Sequence, residues 1–317
     1  MTPFRIVFMG TPEFAVPSLQ ALLDRPDLAI VVAVYTQPDR PAGRGQKMHE
    51  PPIKQLAKKH GIPVFQPENI NEPDEKRKFA DLMMDYAVVA AYAQFLSPGI
   101  LNTPRICCLN VHASLLPKYR GASPIQQAIL DGESKTGISI IRLVPKMDAG
   151  PIFHQEVLEI PKDATAEKLS KMLSTLGADA LIRALELSQQ RKLEEKDQDE
   201  SQVSYAYKIS KADGLISWDK PAEQILRMCR AYTPWPGCYT KTKEGTLKIH
   251  SARLADDSRG LPATAQPGSV NIGSGSFLVK CADRWIELLE VQPEGKKVLS
   301  ISDYLNGIKD KAEVRFL

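Results

Sequence analysis

The stretch Phe4-Arg5-Ile6-Val7-Phe8-Met9-Gly10-Thr11-Pro12 (FRIVFMGTP) decides how the chain is to be read. Phe4–Met9 is a short apolar run rich in branched and aromatic residues, and it stops at a Gly-Thr-Pro turn, as a strand buried on both faces does. Phe14–Leu23 then has helical composition, with Pro17 tolerable only in a first turn. Ile30–Tyr35 (IVVAVY) is a second buried-strand candidate. Strand, helix and strand in succession imply parallel pairing, because parallel neighbours need a crossover.

The alternation continues outward from this unit. Helices are predicted at Ile53–His60, stopped by Gly61, and around Glu75–Met84, followed by the strand Tyr86–Ala91. Ser97-Pro98 has the form of a helix cap with proline at the first helical position. Cys107–His112 follows as a strand, Ser123–Asp131 as a helix and Thr136–Leu143 as a strand. The pattern predicts an α/β fold, with a Rossmann-like, open and mostly parallel sheet in the N-terminal domain. From Thr165 onward Leu169, Met172, Leu173, Leu176, Ala180, Ala184 and Leu187 recur at the spacing of an amphipathic helix, which closes that domain. Gln189–Gln202 is almost entirely polar and marks a solvated linker. Beyond it a helix fits Pro221–Ala231. Strand-like segments follow at Leu247–Leu254, Gly268–Ile272, Phe277–Cys281 and Trp285–Gln292, separated by Gly and Pro turns. These predict a smaller, mostly β domain. The expected division is 1–188, a linker at 189–205, and 206–317.

Composition sets the outer bounds. A chain of 317 residues exceeds what one hydrophobic core usually serves, and its hydrophobic content of 43% and charged content of 25% are ordinary globular values. The formal net charge is only +3, but residues 206–317 hold 17 Lys and Arg against 13 Asp and Glu, a mild hint of an anionic partner for the C-terminal part. Five cysteines at irregular spacing argue against a disulfide framework and against a metal site, and fit a reduced compartment. No apolar run approaches membrane-spanning length, and the first apolar segment ends at Gly10 without a signal-peptide cleavage pattern. The expectation is a cytoplasmic protein with no membrane contact. Gly10 makes a turn after a first strand, yet GTPEFA lacks the second and third glycines of a dinucleotide-binding loop, so no nicotinamide cofactor is expected.

Ligands of open α/β sheets sit beyond the carboxyl ends of the strands. Asn110-Val111-His112 and Lys146-Met147-Asp148-Ala149-Gly150 place unusual polar residues there. Asn110 and His112, two apart on a strand, share one face. With Asp148 from a loop, they can supply a base, an orienting carboxylate and an oxyanion donor. By spacing alone, a strand-end histidine is more often a hydrogen-bonded structural residue than a catalyst.

The wording around these residues is more specific. Asn110–Gly121 (NVHASLLPKYRG), followed by Met147-Asp148-Ala149-Gly150, resembles the active-site signature of the 10-formyltetrahydrofolate-dependent formyltransferases. The resemblance implies that Asn110, His112 and Asp148 are catalytic, with His112 the general base, Asp148 the orienting carboxylate and Asn110 the oxyanion donor. It implies a 10-formyltetrahydrofolate donor lying against Ser114, Leu115, Leu116 and Pro117. It also sets that donor against Val88, Val89, Ala90, Ala91 and Tyr92, whose backbone reads the pterin ring. Phe8–Ala15 (FMGTPEFA) and Thr36–Gly45 (TQPDRPAGRG) resemble the branch whose acceptor is methionyl initiator tRNA. One departure is Ala93, where the family commonly has glycine after Ala-Tyr. Ile216-Ser217-Trp218 and Pro234-Trp235-Pro236-Gly237 resemble that branch's second domain, an OB-like β-barrel. The resemblance further implies a monomer, no metal, and contact of the Thr36–Lys59 loop with the acceptor end of the tRNA through Arg40, Arg44 and Lys47. Lys208, Lys211, Lys241, Lys243 and Lys248 are candidates for phosphate contacts, whereas Trp235, flanked by prolines, is expected to pack in a turn.

Three other readings share some of these features. An amino-sugar-nucleotide formyltransferase or a formyl-folate hydrolase keeps the same chemistry, and the Pro38–Gly45 loop separates it from the tRNA reading. A non-catalytic RNA-binding protein is disfavoured by the presence of Asn110, His112 and Asp148 together, and a nicotinamide-dependent oxidoreductase by the missing glycines.

Overall fold

The computed structural model describes residues 2–42, 47–243, 245–256, 261–262, 264–273, 275–307 and 316. The chain forms two compact units. One gathers Met1–Pro124, Lys135–Glu159 and Ser170–Ala206, and the other Ile125–Ser134, Ile160–Leu169 and Tyr207–Leu317. Two segments of the expected N-terminal domain, Ile125–Ser134 and Ile160–Leu169, therefore group with the C-terminal part.

The first unit is built on β1 (Phe4–Gly10), β2 (Ala29–Tyr35), the hairpin β3 (Arg40–Ala42) and β4 (Lys47–His49), β5 (Val64–Phe65), β6 (Tyr86–Ala90) and β7 (Cys107–His112). It is completed by β8 (Arg120–Gly121), β9 (Lys135–Arg142), β10 (Ile152–Glu159) and β11 (Tyr205–Ala206). Seven strands make one sheet in the order β10-β9-β7-β6-β1-β2-β5. The pairs from β7 to β5 are parallel, and β9 and β10 are added antiparallel at one edge. This is the mostly parallel α/β sheet that the opening run predicts. Ile6, Val7, Phe8 and Met9 of β1 are fully buried on both faces, each burial worth about 1.5–3 kcal/mol. One face packs Val7, Met9, Tyr35, Phe79, Val89 and Cys108 into a cluster in which Tyr35 stacks on Phe65 and meets Phe79 edge-on.

The helices are α1 (Val16–Leu23), α2 (Pro52–Lys59), α3 (Pro73–Asp81), α4 (Pro98–Leu101), α5 (Pro124–Asp131), α6 (Ala166–Gln189), α7 (Ala222–Ala231) and α8 (Ile301–Asn306). Pro17 does sit in the first turn of α1, behind a short 3-10 turn at Glu13–Ala15 that delays the helix past Phe14. The third helix begins at Pro73, two residues before the sequence pattern suggests, because proline is well placed at a helix start. Ser97 occupies the N-cap position of α4, but its hydroxyl makes no capping bond. α6 buries Leu173, Ala180, Leu181, Ala184 and Leu185. At its Gly177 any Cβ would stand 2.9 Å from Val111, so glycine there lets the helix lie close on β7.

In the second unit β12 (Cys238–Thr242), β13 (Gly245–Leu254), β14 (Val270–Gly273), β15 (Ser276–Lys280), β16 (Trp285–Pro293) and β17 (Leu299–Ser300) form an antiparallel sheet. Register shifts along β13 bend it against β16, as bulges do. Trp218 is buried, donating from Nε1 to Thr240 Oγ1 at 3.0 Å and stacking on Phe316. α5 joins this unit through Arg227 of α7, whose Nε donates to the Leu130 carbonyl at 2.9 Å. Trp235 does not pack as expected. The residue is 57% exposed.

Candidate active site

β1, β6 and β7 run parallel, so Gly10, Ala90 and His112 stand together at one end of the sheet. Gly10 is the last residue of β1, and a Cβ there would meet Ala15, the Ala90 carbonyl and the Phe8 ring within 2.9 Å. Close packing of the strand end, more than turn making, requires glycine at this position. Asn110 and His112 share a face of β7, and the loop after β9 returns to bring Asp148 beside them.

His112 is buried. Its Nε2 lies 3.0 Å from the carbonyl oxygen of Tyr119, which can only accept, so this nitrogen carries a proton. Nδ1 then holds the basic lone pair, and Asp148 Oδ2 stands 3.7 Å from it. The ring is thus oriented by the Tyr119 carbonyl, which the left-handed backbone of Tyr119 (φ 65°) presents to it. Asp148 is instead placed to take up the positive charge that protonation of Nδ1 creates. The Asp148 Oδ2 also accepts from the Gly121 amide at 2.8 Å, and Oδ1 lies 3.4 Å from Asn110 Nδ2. Asp148 is itself left-handed (φ 47°), a conformation that costs a non-glycine residue about 1–3 kcal/mol and persists only where neighbours enforce it. Gly150 explains part of that enforcement, since a Cβ there would run into the Arg142 carbonyl.

The segments expected to receive the folate lie in the same unit. Val88, Val89 and Ala90 are buried in β6, and the exposed Ala91 (φ 50°) and Ala93 (φ 65°) turn the chain at its end. Alanine therefore occupies a left-handed position that glycine adopts more easily. The small, exposed residues at 91 and 93 leave this strand end open beyond the buried Ala90, which suits a planar ligand. Ser114 is fully buried and its hydroxyl donates to the Lys118 carbonyl at 2.6 Å, so it shapes the loop, while Leu115 and Pro117 are half-buried on it.

Ser139 and Gln155, which no sequence motif marks, support that loop. The Ser139 hydroxyl donates to the Ser114 carbonyl at 2.7 Å and accepts from the Leu116 amide at 3.0 Å and from Gln155 Nε2 at 2.8 Å. Ser139→Ala leaves a buried amide and a buried carbonyl without this partner. It is expected to lower stability by about 1–3 kcal/mol, as read from chemical denaturation.

The basic loop is only partly described. Arg40 is exposed on β3 and pairs with Glu68 Oε2 at 3.3 Å. Arg44 lies outside the described residues, and Lys47 begins β4 opposite Ala42. Gln37, at the base of this hairpin, donates to the Tyr92 carbonyl at 3.0 Å and links it to the end of β6. In the second unit, Lys208, Lys211, Lys241, Lys243 and Lys248 are exposed, with Lys241 and Lys248 on adjacent antiparallel strands. All five cysteines are buried free thiols, and burial pushes Cys107 up to about 11 and Cys108 up to about 12. A cavity of about 330 Å³ lies at the other end of β7, beside Cys107, Arg142 and Val144, and none of the three candidate catalytic residues lines it. The chemistry-bearing groups converge at the His112 end.

Fold and sequence together define a formyl transferase: residues 4–185 match the family model described as formyl transferase, and residues 208–309 that of the formyl transferase C-terminal domain. The relatives are more particular. A methionyl-tRNA formyltransferase of Methylococcus capsulatus is 46% identical over 305 residues, covering 95% of this chain and 96% of that protein. One of Magnetococcus marinus is 42% identical over 308 residues, covering 97% and 96%. The chain belongs to the methionyl-tRNA formyltransferase family. Among solved structures, an N-formyltransferase from Helicobacter canadensis in complex with folinic acid and dTDP-3-aminofucose aligns with a TM-score of 0.67 at 19% identity. That alignment covers 90% of this chain and 98% of that one. A methionyl-tRNA formyltransferase from Clostridium thermocellum gives 0.57 at 17% identity, over 80% and 94%. These two likenesses bear on the fold alone.

Proposed function

We propose that this chain transfers the formyl group of 10-formyltetrahydrofolate to the α-amino group of methionyl initiator tRNA, working as a cytoplasmic monomer. The observation that carries the reading is the meeting of Asn110, His112 and Asp148 at the carboxyl end of β7, with Asp148 in hydrogen-bond reach of Asn110 and ion-pair reach of His112. Relatives named methionyl-tRNA formyltransferase, similar over nearly the whole chain, support the choice of acceptor. The folate supplies the formyl group from its N10.

The residues of the chain do the rest. The attacking methionyl amine must be neutral, and α-amino groups ordinarily titrate at about 7.7–8.0, so a modest base suffices. As the amine bonds to the formyl carbon, His112 Nδ1 takes the amine proton, and this proton goes to N10 of the departing tetrahydrofolate as the N10–formyl bond breaks. Asp148 stabilises the imidazolium that results, with the Tyr119 carbonyl keeping the ring in place. Asn110 Nδ2 has two N–H groups, and one of them donates to the formyl oxygen as negative charge develops on it. The alanines at the end of β6 and the Leu115–Pro117 loop hold the donor. Arg40, Arg44 and Lys47 meet the acceptor end of the tRNA, and the exposed lysines of the second unit contact phosphates, with affinity that falls as salt rises.

The acceptor is tested by offering the purified protein 10-formyltetrahydrofolate with methionyl initiator tRNA, methionyl elongator tRNA or a dTDP-linked amino sugar. Formylation of the initiator well ahead of the other two is expected. Preferential formylation of the sugar would keep the chemistry and overturn the acceptor.

A further inference from the structure

Residues 186–207 belong to neither family-model match, and their composition is that of a linker. Within the first unit, however, this segment lies directly behind the candidate catalytic loops. Ile152 and Lys196 exchange backbone hydrogen bonds of 2.8 and 2.9 Å. Tyr205 and Ala206 pair in parallel with Arg120 and Gly121, and Ser204 bonds the Tyr119 and Arg120 amides through its Oγ and its carbonyl.

Gln198 is central to this arrangement. Its Nε2 donates to the carbonyls of both Asp148 and Gly150, at 2.7 Å each, spanning the left-handed turn that aims the Asp148 carboxylate. Its Oε1 accepts from Arg120 Nε at 3.0 Å and Nη2 at 2.8 Å. The amide has only one consistent orientation, because carbonyls only accept and a guanidinium only donates. Arg120 is itself fully buried, and its Nη2 also meets Glu200 Oε1 at 2.8 Å, whose other oxygen takes Lys146 Nζ at 2.8 Å. A fully buried guanidinium thus anchors the glutamine, and the glutamine clamps the turn.

We propose that Gln198 is a positioning residue for formyl transfer: anchored by Arg120, its amide holds the Asp148–Gly150 backbone so that the Asp148 carboxylate faces His112 and Asn110. The inference rests on the function proposed above. A clamp of this kind acts on the geometry of the reacting groups, where a displacement of about 1 Å can cost about a hundredfold in rate.

The test is steady-state kinetics of Gln198→Ala, Gln198→Glu, Asp148→Ala and the double variant Asp148→Ala/Gln198→Ala, with thermal unfolding of each. Gln202→Ala is the control, its amide meeting Asp199 Oδ2 on the same segment. Gln198→Glu still accepts from Arg120 but cannot donate to the two carbonyls, so it separates clamping from simple packing. Both Gln198 single variants are expected to lose about 10- to 100-fold in kcat with the folate KM changed less than threefold, and Gln202→Ala to match wild type. In the Asp148→Ala background, Gln198→Ala is expected to add no further loss, since the clamp acts through that carboxylate. Wild-type kcat in Gln198→Glu, or losses that multiply in the double variant, would overturn the inference. Wild-type kcat in Asp148→Ala would instead overturn the catalytic assignment beneath it.

Discussion

Replacing His112 with Ala is expected to lower kcat by about 100- to 10,000-fold, the range that a positioned general base contributes. The size of the effect follows from the geometry. The Tyr119 carbonyl occupies the Nε2 proton, so Nδ1 is the basic atom of this ring, and the Asp148 carboxylate waits 3.7 Å away. His154, on the β9–β10 edge of the same sheet, pairs its Nε2 with Glu156 at 2.7 Å and has no such carboxylate at a strand end. Steady-state rates across pH 6–9 check the prediction. A wild-type kcat in His112→Ala would remove the base from the mechanism.

Asn110→Ala is the second large effect, with an expected loss of about 100- to 1000-fold in kcat, the usual consequence of removing one oxyanion donor. Asn110 Nδ2 reaches Asp148 Oδ1 only at 3.4 Å, so its stronger use is to be sought in the transition state rather than in this resting arrangement. The folate KM should therefore change little, because an interaction made only in the transition state leaves ground-state binding intact. A raised KM with an unchanged kcat would make Asn110 a binding residue.

The strands that position this site were legible because each is a buried apolar run. β1, β2, β6 and β7 announce themselves as FRIVFM, IVVAVY, YAVVA and CCLNVH, where, past the exposed Arg5 and Ile30 at the strand starts, burial within a parallel sheet keeps the runs apolar until Asn110 and His112 near the end of β7. Asn110 and His112 stand out for that reason. β10 was not legible: Ile152–Glu159 alternates only loosely, with His154, Gln155 and Glu156 inside it, because it is an edge strand with one neighbour. The polar run after α6 was misleading in a similar way. Gln198, Glu200 and Ser204 carry the composition of a solvated linker, but their partners are residues 48 to 85 positions away, and no local pattern encodes such pairing. Trp235 shows the opposite failure, since flanking prolines suggest a packed turn while the residue is largely exposed.

Two features of the site were visible only in three dimensions. Tyr119 and Asp148 hold left-handed backbones without being glycine, and each places the group that touches His112. Their sequence neighbourhood, KYRG and MDAG, gives the identity of the residues but not the carbonyl that orients the imidazole. Ser139 likewise sits in a strand that reads as ordinary sheet, and Gln155 in the edge strand that the sequence pattern does not mark, although both hold up the loop expected against the folate.

The most direct measurement of the central claim is single-turnover transfer of a labelled formyl group from 10-formyltetrahydrofolate to methionyl initiator tRNA. It is run with wild type and with the Asn110→Ala/His112→Ala double variant, each in excess over tRNA and with folate binding measured separately. The account predicts rapid labelling of the methionyl amine by wild type. The double variant should bind folate with similar affinity and transfer at least about a hundredfold more slowly. Transfer by the double variant at the wild-type rate would contradict it.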